Sequence, residues 1–199
     1  MNLVLEGLPG AGKTSVINQL SDLLRTEAIN AFVLNEFCEG LNGDCQSIEF
    51  YLKNEIQKNQ CLERTKENAV SICDRLWPST VVFSGVECNA KTAMDLMMLQ
   101  RVIYKGFQFA PFFYVYLRIP SEISLARHTN YDLIDKNLWF NKNFNQSAET
   151  LYDILYKNIE LFQPSICGKL VIDCTAASIT NVAQTILCNI KEELHFERL

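Results

Sequence analysis

The chain has 199 residues, 48% of them hydrophobic and 21% charged, with 18 Lys and Arg against 23 Asp and Glu for a formal charge of −5. This composition excludes a disordered or fibrous protein, and the acidic balance excludes a basic nucleic-acid-binding surface, which needs clustered cations. At this length roughly 70% of the unfolded chain's surface is buried on folding, so a single domain over residues 1–199 is expected without disulfides or structural metal.

No apolar run approaches the roughly 20 residues of a membrane-spanning helix, and the longest, 112–117, is strand-sized. No membrane association is expected. Residues 1–6 lack the basic segment and long apolar core of a signal peptide, which points to a cytoplasmic protein. The eight cysteines, at 38, 45, 61, 73, 88, 167, 174 and 188, form no C-x-x-C pair. His128 and His195 stand at no zinc-ligand spacing from any of them, so buried reduced thiols are expected.

In chain order, an apolar strand at 3–6 runs into a glycine-rich turn and then a helix with the stripe Val16, Ile17, Leu20, Leu23 and Leu24. Further strands are expected at 31–34, 69–74, 112–117 and 170–173. Their runs are continuously apolar, as in parallel strands covered on both faces. Phe140, Phe144, Ala148, Leu151, Leu155, Ile159 and Phe162 mark a long helix that Pro164 and Gly168 end. Ser178 caps a last helix whose buried face carries Val182, Ile186 and Ile190. The sum is a three-layer α/β fold: a five-stranded parallel sheet flanked by helices. The polar, Asn-rich stretch around 129–146 reads as an excursion before or within the long helix.

Gly7-Leu8-Pro9-Gly10-Ala11-Gly12-Lys13-Thr14 matches G-x-x-x-x-G-K-[ST] and sits between a strand and an amphipathic helix, where a phosphate-binding loop must sit. Gly7, Gly10, Ala11, Gly12, Lys13, Thr14 and Ser15 are therefore expected to hold a nucleoside triphosphate, with ATP and Mg²⁺ as the ligands. Inward-pointing amides and the helix N-terminus cradle the phosphates, Lys13 reaches the outer ones, and the Thr14 hydroxyl is a metal ligand. Asp74 and Arg75 end the third strand opposite this loop. An acid there supports the metal, and the planar guanidinium grips a transferring phosphoryl group.

With Leu5-Glu6-Gly7 opening the loop and Asp74, Arg75, Ser79 and Phe83 following the third strand, the chain resembles the thymidylate kinases among the nucleoside monophosphate kinases. Phe113 to Arg127 and the closing Val171-Ile172-Asp173 strand with its helix extend the likeness over nearly the whole chain. The resemblance implies a P-loop kinase fold and transfer of the γ-phosphoryl group of ATP to a nucleotide, nominally dTMP. It also implies Phe50 stacking the acceptor base, with Asn54, Arg75 and Phe83 around the acceptor. A short lid over about 128–146 would bring cations to the phosphates, with Arg127, Lys136 and Lys142 as candidates. Homodimerisation is a further implication of the family. Tyr51 and Trp77 are neighbours able to wall an aromatic pocket.

The likeness breaks at the acceptor. Thymidylate kinases carry an acid in the loop, an Arg after strand two and an Arg one turn beyond the stacking Phe; here Pro9, Asn35-Glu36 and Asn54 stand in those places. Only seven of the 18 cations are Arg, and none falls between Arg127 and Arg198. Removing cations from a site for a dianionic monophosphate costs affinity on the order of a few kcal/mol. Glu36 and Tyr116-Leu117-Arg118 resemble instead the related deoxynucleoside kinases, in which that acid is the base on the sugar hydroxyl, although those typically have Glu-Arg-Ser where this chain has Asp74-Arg75-Leu76. Three readings stand: a nucleotide kinase, a kinase of a nucleoside or another small alcohol with Glu36 as general base, and a nucleotide-dependent switch protein without transfer.

Overall fold

A computed structural model of the chain describes residues 1–41, 47–66, 69–128 and 141–196, the side chains of 128 and 192–196 excepted. Five parallel strands form one sheet: β1 (Asn2–Glu6), β2 (Asn30–Leu34), β3 (Ala69–Asp74), β4 (Phe113–Arg118) and β5 (Gly168–Asp173), in the order β2-β3-β1-β4-β5. The helices are α1 (Lys13–Thr26), α2 (Ile48–Leu62), α3 (Trp77–Glu87), α4 (Ala93–Tyr104), α5 (Ser121–His128), α6 (Lys142–Phe162) and α7 (Ile179–Phe196). The three-layer α/β architecture and all five expected strands are present, each within two residues of its expected ends.

The central strands are made by their sequences. Leu3, Val4 and Leu5 of β1, all of β3, and all of β4 except Arg118 are buried, which only strands covered on both faces tolerate. On α1, Val16, Ile17, Leu20 and Leu24 are buried, and the helix packs on α7, which buries Val182, Ile186 and Ile190. Packed α3, α4 and α6 make a second group. Each fully buried Leu or Ile in these stripes contributes roughly 1.5–3 kcal/mol.

Connection geometry then places the crevice. From β1 the chain steps out past β3 to β2, whereas after β3 it crosses β1 to reach β4 and then β5. With right-handed crossovers, α1 lies on one face and the helices after β3 on the other. The reversal sits at β1, so a ligand crevice opens beyond the carboxyl ends of β1, β3 and β4. Register fixes its floor: Leu5 pairs with Asp74, and Glu6 pairs with Tyr116.

Several expectations need correction. Strand β2 is not covered on both faces: it lies at the sheet edge, with Phe32 56% and Val33 39% exposed. The other edge strand, β5, is likewise only partly buried. An apolar run alone does not separate an edge from a centre. Gly168 opens β5 and does not end α6, which stops at Phe162 with Gln163 as its cap. Cys73 and Cys174 are buried, but Cys61, Cys88, Cys167 and Cys188 are exposed, so burial is not the rule for the described thiols. The last part of the expected lid, from Lys142, is instead the first turn of α6, which Asn141 caps through the Phe144 amide at 3.1 Å. Residues 129–140, with Lys136 and Phe140, lie outside the described residues. No described helix is long and apolar enough to cross a membrane.

Candidate phosphoryl-transfer site

The loop between β1 and α1 is shaped by its glycines. A Cβ on Gly7 would lie 2.4 Å from the Leu117 carbonyl oxygen of β4, and Gly12 adopts φ +87 as the residue before α1. Both positions need glycine, the first for close approach and the second for its left-handed backbone. Ser47, Thr92 and Asn141 cap α2, α4 and α6 through side chains, whereas α1 has no side-chain cap. The first-turn amides of α1, at Lys13, Thr14 and Ser15, thus keep their positive ends for an anion.

Lys13 is buried, with Nζ 3.3 Å from the carbonyl oxygens of both Gly7 and Leu8. Burial, aided by Arg75, lowers its pKa to about 8, against the opposing pull of Asp74, Glu36 and Glu6. Phosphate oxygens would reverse that shift. The Thr14 hydroxyl donates to Asp74 Oδ2 at 3.4 Å, which brings the two expected metal ligands together across the crevice. Asp74 Oδ1 is buried with no hydrogen-bond partner. An orphaned carboxylate oxygen beside a hydroxyl is the donor chemistry a Mg²⁺ ion takes.

Arg127 reaches this loop from α5. Its guanidinium donates to the carbonyl oxygens of Gly10 at 3.0 Å, Cys174 at 3.2 Å and Thr175 at 3.1 Å. Ser124 Oγ donates to the Pro9 carbonyl at 2.7 Å. Helix α5 is therefore tied to the phosphate loop and to the turn after β5.

On the other side of the crevice, Arg75 is the hub. Its backbone is left-handed at φ +60, a conformation that costs a non-glycine residue roughly 1–2 kcal/mol. Its Nε lies 3.0 Å from Glu36 Oε1, and NH1 donates to Ser79 Oγ at 2.8 Å and Tyr152 Oη at 3.2 Å. The Phe83 ring lies beneath the guanidinium, with Cζ 5.4 Å from its centroid. Phe83 is thus a support for Arg75. Burial would favour the neutral form of Arg75, but Tyr152 and the acids Glu36, Glu6 and Asp74 outweigh it and hold the group cationic.

Glu36 projects from the loop after β2, its side chain 46% exposed. Asn54 on α2 fixes that loop: its Nδ2 donates to the Glu36 carbonyl at 2.8 Å and its Oδ1 accepts from the Cys38 amide at 2.9 Å. Asn54, expected to touch the acceptor, is 3% exposed and braces the loop after β2. Phe50 is 8% exposed, its ring 5.6 Å from that of Phe37 and 5.9 Å from that of Tyr51. Phe37 is 42% exposed, more open than Phe50. Trp77 belongs to the core, fully buried and stacked 6.0 Å from Phe162, and walls no pocket.

The structure also brings in residues that sequence reasoning missed. Glu6 is fully buried, and its carboxyl accepts from the Leu76 amide at 2.8 Å, the Ser79 hydroxyl and the Tyr152 hydroxyl at 3.4 Å. Burial raises its pKa, moderated by Arg75, the Ser79 hydroxyl and the Leu76 amide. Glu55 accepts from Thr80 Oγ1 at 2.6 Å and from the Tyr104 hydroxyl, and burial raises its pKa to about 7. Lys58 Nζ donates to the carbonyl oxygens of Asp74 at 2.7 Å and Arg75 at 2.9 Å. A charge closing an apolar strand was the one sequence signal available, at Glu6; helix α2 offered none for Glu55 and Lys58.

No family model and no curated protein matches the chain. Among solved structures it is similar to deoxyadenosine kinase from M. mycoides. Against the form with bound dATP the identity is 15% and the TM-score 0.64; against the form with the products dCMP and dCDP they are 17% and 0.65. Against the form with dCTP they are 16% and 0.63, and each likeness covers 96% of this chain and 100% of the other. The chain therefore has the P-loop kinase α/β fold of these deoxyadenosine kinase structures, the fold expected from its sequence.

Proposed function

We propose that the protein transfers the γ-phosphoryl group of ATP to the hydroxyl of a deoxynucleoside. The observation that carries this is the Glu36–Arg75 pair at 3.0 Å beyond the carboxyl end of β3. A carboxylate at the mouth of an acceptor crevice is suited to take a proton from an alcohol, and it would repel a monophosphate carrying close to two negative charges. The fold shared with a deoxyadenosine kinase, one form of which holds the products dCMP and dCDP, supports an acceptor of this class over dTMP.

In this reading the acceptor base lies against the Phe37, Phe50 and Tyr51 rings and its hydroxyl meets Glu36. Glu36 takes the hydroxyl proton as the oxygen attacks the γ-phosphorus and the bond from that phosphorus to the β,γ-bridging oxygen breaks, releasing ADP. Arg75 and Lys13 neutralise the charge on the transferring group, and the amides at the start of α1 hold the remaining phosphates. Thr14 and Asp74 would hold Mg²⁺, which neutralises charge on the phosphate oxygens when bound. Arg127 keeps the phosphate loop and the turn after β5 in place.

The test is product analysis by mass spectrometry with ATP, Mg²⁺ and a panel of deoxynucleosides, nucleosides, dTMP, dUMP, CMP and UMP. Deoxynucleoside monophosphates are the expected products. Diphosphates alone, or no product from any acceptor, would overturn the reading.

A further inference from the structure

Helix α2 follows the aromatic rings with a buried face that is almost entirely polar: Asn54, Glu55, Lys58 and Asn59 are each no more than 3% exposed. Two of them, four residues apart and so on one face, reach the two ends of the same ion pair. Asn54 donates to the backbone carbonyl of Glu36. Lys58 donates to the backbone carbonyls of Asp74 and Arg75.

The second contact has a counterpart. The peptide between Arg75 and Leu76 gives its carbonyl oxygen to Lys58 Nζ at 2.9 Å and its N–H to Glu6 Oε1 at 2.8 Å. A basic and an acidic side chain thus grip the negative and positive ends of one peptide dipole, in a place closed to water. That peptide follows the left-handed residue Arg75, whose own N–H donates to the Leu5 carbonyl at 3.1 Å. Buried contacts on both sides are what a backbone strained at a functional residue needs in order to persist.

We propose that Lys58 is a positioning residue which, with Glu6 opposite, clamps the Arg75–Leu76 peptide and, with Asn54, lets α2 align Arg75 against Glu36. Its catalytic consequence rests on the proposed function; its structural consequence does not. Seating the acceptor against Phe50 and Tyr51 of the same helix then sets the acceptor, the base and the cation from one rigid element. Removing the clamp frees the Arg75 turn to leave its left-handed conformation, which misplaces the guanidinium without touching the ATP loop.

The experiment compares wild type with Lys58→Met, which keeps the length of the side chain, and Lys58→Arg, which keeps its donors. The first readout is solvent exchange of the Arg75 Nε–H in proton–nitrogen NMR spectra, assigned with Arg75→Lys. Exchange should accelerate by roughly tenfold or more in Lys58→Met and return toward wild type in Lys58→Arg. Unchanged exchange in Lys58→Met overturns the proposal. If Lys58→Met does not fold, Lys58→Gln, which is shorter and loses the charge, takes its place with the same criteria. The second readout is turnover: kcat should fall roughly ten- to a hundredfold with KM for ATP little changed, and Lys58→Met should add nothing in an Arg75→Ala background. Additive losses there would mean that Lys58 does not act through Arg75. If wild type phosphorylates no acceptor, the functional reading fails while the exchange measurement still decides the clamp.

Discussion

Helices α1 and α2 each follow a strand and each border the crevice, yet they are held in opposite ways. Helix α1 buries a stripe of Val16, Ile17, Leu20 and Leu24 and presents its amide end to the ligand. Helix α2 buries Asn54, Glu55, Lys58 and Asn59, and each is satisfied by a partner on another element or on its own helix. Apolar packing is non-directional and leaves α1's terminus free for phosphates; hydrogen bonds are directional and let α2 fix individual carbonyls of the acceptor side. In the proposed reading, the half that holds the donor is built for binding, and the half that faces the acceptor is built for alignment.

The largest effect should come where the halves meet. Arg75→Ala is expected to lower phosphoryl transfer by roughly 10³- to 10⁵-fold with the fold intact by circular dichroism. A loss below tenfold in steady-state turnover would remove Arg75 from the centre of the comparison. Glu36→Gln tests the acceptor half alone: transfer should fall roughly 10²- to 10⁴-fold while ATP affinity by calorimetry stays near wild type. Equal losses of ATP affinity would show the halves to be coupled at binding.

The donor half has its own pH signature. Lys13 carries a pKa lowered to about 8, so ATP binding above that pH should draw a proton from solution as the phosphates recharge it. Calorimetry in buffers of different ionisation enthalpy checks this, and no net uptake would contradict it.

The smallest effect belongs to the acceptor helix. The folded-state pKa of Glu55 is raised to about 7, above its ordinary value of 4.5, so the folded state holds this proton longer than the unfolded one. Stability should decline as pH rises through that window, by up to about 3 kcal/mol above pH 7. Glu55→Gln should flatten the decline in denaturant titrations at pH 5 and pH 8.

What was legible in the chain divides along the same line. Periodicity and glycine spacing were enough for the sheet, α1, α6, α7 and the phosphate loop, because each is set by residues near one another in sequence. The Thr14–Asp74 pairing followed from motif placement. The polar face of α2 was not legible, since Lys58 looks like any solvated lysine until β3 is laid beside it. Glu6, Ser79 and Tyr152 likewise meet across separations of 73 and 146 residues. Phe50 was read from its position as the ring that stacks the acceptor base; that Phe37 packs 5.6 Å from it was not legible, because the two lie on different elements.

The central claim is that Glu36 and Arg75 serve an uncharged acceptor. Single-turnover transfer from ATP, measured for wild type and Glu36→Gln with a deoxynucleoside and with its own monophosphate, tests it most directly. The account predicts faster transfer to the deoxynucleoside and loss of that transfer in Glu36→Gln. Preference for the monophosphate, or full transfer to the deoxynucleoside by Glu36→Gln, would contradict it.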